Sequence, residues 1–114
     1  MSQHAERIRQ MADALRAALL LERPDIDLTY KPMFGGAGFW ANGKIFAAWF
    51  GETLALKLPQ ALREELLNQG GTPNPYFGEY VQVPPPFEEE PELLAPYVAH
   101  SVDYVLKPKK KKRA

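Results

Sequence analysis

Residues 30–58 read YKPMFGGAGFWANGKIFAAWFGETLALKL and hold both tryptophans, four of the six phenylalanines and five of the eight glycines. Asn42-Gly43 lies between the apolar pairs Phe39-Trp40 and Ile45-Phe46. Asn-Gly is the preferred type I′ pair because both residues tolerate positive φ. Gly51-Glu52 lies between Trp49-Phe50 and Thr53-Leu54, and a leading glycine suits a type II′ turn. Two-residue loops then set the pairing. Ala41 faces Lys44, Trp40 faces Ile45 and Phe39 faces Phe46; in the second hairpin Trp49 faces Leu54 and Ala47 faces Leu56. Side chains alternate along a strand, and paired residues share a face. One face therefore gathers Trp40, Ile45, Ala47, Trp49, Leu54, Leu56 and Leu58 and is expected to be the core. The other gathers Phe39, Phe46 and Phe50 with Lys44 and Lys57. Such a split suits an antiparallel sheet covered on one side.

The glycines also touch two nucleotide motifs. Gly38, Gly43 and Lys44 fit G-x-x-x-x-G-K, but Ile45 stands where Ser or Thr must hold Mg²⁺. Gly36 to Ala41 fits G-x-G-x-x-A, yet a β run follows both motifs where a helix N-terminus is needed. The glycines are read instead as a bulge and a close helix-to-sheet approach.

Outward from this stretch the pattern becomes helical. Ile8, Met11, Ala12, Leu15, Ala18 and Leu19 recur at i, i+3, i+4, which predicts a helix from a Ser2 cap to about Glu22. Pro24 ends it. Pro59 fits the first position of a second helix, with Leu62, Leu66 and Leu67 inward and Gly70-Gly71 closing it. Residues 72–75 read as a loop, and Tyr76–Val83 as one strand or a small hairpin. Pro84 to Pro86 break that strand. Glu88, Glu89, Glu90 and Glu92 load the start of a last helix, where negative charge complements the dipole. Pro91 suits its first position, whereas Pro96 implies a kink or a second start. Tyr97, Val98, Ser101, Val102 and Val105 form its buried stripe. The order α-β-β-β-α-β(β)-α predicts an α+β fold: one antiparallel sheet of four to five strands, helices mainly on one face.

At 114 residues and 46% apolar composition, one core is expected. Residues 1–106 read as that single domain and 107–114 as a basic flexible tail. Lys107, Lys109, Lys110, Lys111, Lys112 and Arg113 carry six of the 14 positive charges, so residues 1–106 hold 8 positive against all 14 acidic groups, about −6. No apolar run is long enough to span a membrane, and the first ten residues lack the apolar segment of a secretory signal. Cysteine is absent, which rules out thiolate chemistry and suits a cytoplasmic setting.

Lys31-Pro-Met-Phe-Gly-Gly36 leads into Gly38-Phe39-Trp40, then the Asn42-Gly43 turn, Phe46-Ala47 and Leu56-Lys57-Leu58. With the long first helix, Gly70-Gly71 before an aromatic strand, and a proline before an acidic final helix, roughly residues 4–106 resemble the N-terminal domain of the TfoX/Sxy family of bacterial competence regulators. The resemblance implies a sheet backed by helices and a part in transcriptional regulation without an enzymatic step. It supplies no catalytic residue and no cofactor. The longer regulators carry a second, helical domain, whereas this sequence ends in lysines, so a stand-alone relative is expected.

Residue chemistry agrees. The nucleophiles are Ser2, Ser101 and three threonines, and adjacent His100 and Ser101 diverge on a helix. Two isolated histidines make no ligand set. The expected role is a regulatory interaction module without catalysis, cofactor or metal. Its contact face is expected at Phe39, Phe46, Phe50, Lys44 and Lys57, meeting a protein partner or a second copy. The alternative is an accessory nucleic-acid binder that stacks bases on the phenylalanines and draws phosphate to Lys109, Lys110, Lys111, Lys112 and Arg113.

Overall fold

Asn42 and Gly43 both adopt positive φ, 49° and 89°, as a type I′ turn requires. The Asn42 side-chain oxygen accepts the Asp27 N–H at 2.8 Å, and the Asn42 N–H donates to the Asp27 carbonyl at 2.9 Å, which ties the turn to the next strand. A computed structural model describes residues 3–33, 36–49, 53–74, 77–84, 87 and 89–106. The elements run α1 (Gln3–Glu22), β1 (Leu28–Met33), β2 (Gly36–Ala41), β3 (Lys44–Trp49), β4 (Leu54–Lys57), α2 (Gln60–Asn68), β5 (Thr72–Pro73), β6 (Tyr80–Gln82) and α3 (Pro91–Leu106). The sheet is antiparallel in the order β1-β2-β3-β4-β6-β5.

The α+β architecture is as expected, with six strands in place of four to five. The extra strands come from the two ends. Leu28–Met33 forms a full edge strand, and Thr72–Pro73, expected as loop, pairs with β6 on the other edge. Among the described residues of the expected Tyr76–Val83 strand, Tyr80–Gln82 lie in the sheet. Both edges carry a proline. Asp27 and Asn42 form a hydrogen-bonded pair, so two-residue alternation points the backbone of Leu28, Tyr30 and Pro32 off the sheet. Pro32 therefore loses no ladder bond and leaves the outer edge one donor short.

The main departure lies in β3. Ala41 opposes Lys44 and Trp40 opposes Ile45, as the turn dictates, but Phe39 opposes Ala47. Phe46 is the extra residue of a β-bulge. The second hairpin keeps its expected pairs, Trp49 with Leu54 and Ala47 with Leu56. One row across the sheet is thus Tyr30, Phe39, Ala47, Leu56, Val81 and Pro73. Phe39, Ala47, Leu56 and Val81 belong to a core cluster that also takes in Phe46, Ile8, Met11 and Leu15 from α1, Leu66 from α2, and Leu94, Val98 and Val102 from α3. All three helices bury their stripes on this face. Expected core residues Trp40 and Ile45 are only half-buried, on the opposite face.

The bulge also explains Ser101. Its hydroxyl lies 2.9 Å from the Phe46 carbonyl and 2.8 Å from the Lys57 carbonyl, and it is fully buried. One proton shared between two carbonyls satisfies backbone groups at the bulge and at the end of β4.

Details at the helix ends follow from local chemistry. Pro59 is the N-cap of α2, extended at ψ 163°, one residue before the helix rather than its first residue. Gly70 has φ 106°; its N–H bonds the Leu67 carbonyl and the Gly71 N–H bonds that of Leu66, a Schellman closure. A Cβ on Gly71 would sit 2.7 Å from the Gln82 carbonyl oxygen, so glycine there lets β5 approach β6. α3 runs through Pro96 as one helix. Arg23 pairs with Asp25 at 3.4 Å and with Asp103, linking the end of α1 to α3.

Candidate interaction surface

The expected phenylalanine patch does not form. Phe39 and Phe46 are both 0% exposed beneath the helices, because the bulge turns the first hairpin over at that point. Phe50 lies outside the described residues. Lys44 is exposed beside the turn and pairs with Ala41, on the Phe39 side of the sheet. Lys57 opposes Tyr80 on the other side, half-buried, with its ammonium 3.6 Å from Glu79. The two lysines do not share a face. Lys109, Lys110, Lys111, Lys112 and Arg113 lie outside the described residues, as does the whole of 107–114.

The face without helices has its own composition. Lys31, Gly38, Ala48, Ala55, Gln82 and Thr72 are register partners across all six strands. Small residues floor the middle of this row. Beside it Thr29, Trp40 and Ile45 form the next row, exposed or half-buried. The Lys31 ammonium sits 5.7 Å from the Trp40 ring centre, a cation–π contact that joins the two rows. Sequence reasoning missed Trp40 and Ile45 as surface residues because nothing in Ile-Phe-Ala-Ala announces a bulge. On the same face burial raises the Tyr80 phenol above its usual range, helped by the nearby Glu79 carboxylate.

Catalytic chemistry finds little to use. Ser101 is sealed against carbonyls, and His100 is exposed beside it. Among the described residues no group of three or more His, Asp or Glu is placed to hold a metal ion. What the fold offers is a broad sheet face with the aromatics Trp40 and Tyr80 and the cations Lys31 and Lys57.

These features define a one-sided α+β domain built on a Gly-rich hairpin strand. The model of the TfoX N-terminal domain matches residues 24–105, and the chain belongs to that family. The matched segment begins after α1 (Gln3–Glu22). No curated protein matches the sequence. The family is not one of known enzymes.

Proposed function

We propose that the chain is a non-catalytic, regulatory interaction module that acts in the cytoplasm through the helix-free face of its sheet. The observation that supports it is one-sided packing: α1, α2 and α3 all join a single core, and Thr29, Lys31, Trp40 and Ile45 remain on the opposite face. A half-buried tryptophan on a sheet face is a residue type enriched at the centre of protein contacts. The occupant is a protein partner or a second copy. The prolines of both edge strands disfavour strand-to-strand joining, so contact is through the face.

A photo-crosslinkable residue at position 45, compared with one at half-buried Arg7 on α1, tests this in cells of the source. Adducts at 45 and none at 7 are expected, and Trp40→Glu should abolish them in a protein that stays folded. Equal adducts at both positions, or none, defeat the reading. Sedimentation over a wide concentration range separates a second copy from another protein.

The second reading, nucleic-acid binding, now rests on Lys31 with Trp40 and on the Lys109–Arg113 run, without the phenylalanines. A single-stranded oligonucleotide should be retarded at low salt and released as salt rises. No retardation of either strand form by the whole chain removes it. Among the described residues no helix is long and apolar enough to cross a membrane.

A further inference from the structure

A groove of about 310 Å³ lies between α2 and α3, away from the helix-free face. Leu62, Leu93 and Pro96 give it apolar walls, and Leu93 is 43% exposed. Glu65 and Glu92 stand in the same lining, with Tyr97 and His100 along one side. Burial raises the Tyr97 phenol above its usual range and Glu65 adds to the effect, so it stays a neutral hydroxyl that accepts from Gln69.

Pro96 has no N–H, so the Glu92 carbonyl four residues earlier lacks its helical donor. The groove presents the carboxylates of Glu65 and Glu92 beside alkyl side chains. Among the described residues no Lys or Arg lines it, and exposed Glu64, Glu89 and Glu90 lie on its flanking segments. That combination suits a lysine or arginine side chain, whose stem packs on apolar surface while its head meets carboxylates.

We propose that the groove is the docking site of the chain's own basic run, Lys107 to Arg113. Charge complementarity supports this occupant: six positive charges stand in that run against about −6 on residues 1–106. So does placement. α3 forms one wall of the groove and ends at Leu106, immediately before the run. From Leu106 back to Pro96 is about 15 Å of helix at 1.5 Å per residue. Seven residues span up to about 23 Å when extended. Pro108 disfavours helical geometry at the residue before it. Docked, the run is withheld from other anions; a stronger polyanion releases it. The inference stands apart from the partner reading of the sheet face.

The chain has no cysteine, so Ala114→Cys gives a single nitroxide label that removes no charge. In the full-length protein, paramagnetic broadening should centre on Leu62 and Leu93 rather than on Tyr104–Leu106 beside the attachment point. It should weaken several-fold at 1 M salt, where the screening length is about 3 Å. Glu65→Gln with Glu92→Gln, both at exposed positions, should abolish it at low salt while the rest of the spectrum holds. Broadening confined to 104–106 under all conditions overturns the proposal. So does groove broadening that survives the double variant. Groove broadening that arises only between labelled and isotope-enriched copies in a mixed sample also overturns it, and makes a second copy the occupant.

Discussion

The two hairpins of the central stretch start alike and end differently. Each has apolar strands around a two-residue turn motif. In the β3–β4 hairpin the pairs read from the turn persist to Ala47 and Leu56. In the β2–β3 hairpin they hold for two pairs and fail at the third, where Phe46 bulges and Phe39 meets Ala47. A turn fixes the nearest pairs; beyond them, packing decides. Without the bulge Phe39 and Phe46 would share the face opposite Ala47, Trp49 and Leu56. Inserting one residue into β3 brings both phenyl rings inside at the cost of one irregular backbone site, which Ser101 satisfies.

The sharpest way to break this comparison is at Phe46. Phe46→Glu should leave the domain unfolded, since an unpaired buried carboxylate costs several kcal/mol. Phe46→Ala should cost about 3–5 kcal/mol in urea titration, in the same range as Leu56→Ala from the regular hairpin. A loss under about 1 kcal/mol, the size usual for surface sites, would mean that Phe46 does not face the helices. Ser101→Ala comes next. It strands the Phe46 and Lys57 carbonyls, and the melting transition should shift by an amount equivalent to about 1–3 kcal/mol. Gly43→Ala tests the turn itself: at φ 89° a Cβ costs about 1–2 kcal/mol, with no steric contact to add to it. Ile45→Ala should have the smallest effect, about 1 kcal/mol by chemical denaturation, because Ile45 is half-buried on the helix-free face. Ile45→Ala costing more than Phe46→Ala would restore the unbulged pairing.

Much of this architecture was legible because its signals are local. Asn42-Gly43 fixes its turn through backbone φ, the α1 stripe repeats at helical spacing, and Gly70-Gly71 close α2 by positive φ and close approach. The face assignments of Trp40, Ile45, Phe39 and Phe46 were not legible, since they depend on one irregular residue chosen by the helices. β5 escaped notice because two residues carry no periodicity and one is proline. The groove between α2 and α3 was invisible for another reason. Glu65 and Glu92 are far apart in sequence, and Pro96 reads as a helix defect until the helix is seen to continue through it.

The first helix lies outside the matched residues but inside the folded core. The family match starts at residue 24, yet Ile8, Met11, Leu15 and Leu19 from α1 are buried in the common core, and Arg23 fastens its end to Asp103. A fragment cut at the family boundary would expose the flank of α3 that α1 covers. It would be a sticky half-molecule, and any assay on it would report the wound rather than the protein. Expression and screening of this chain therefore belong on a fragment that begins before Gln3.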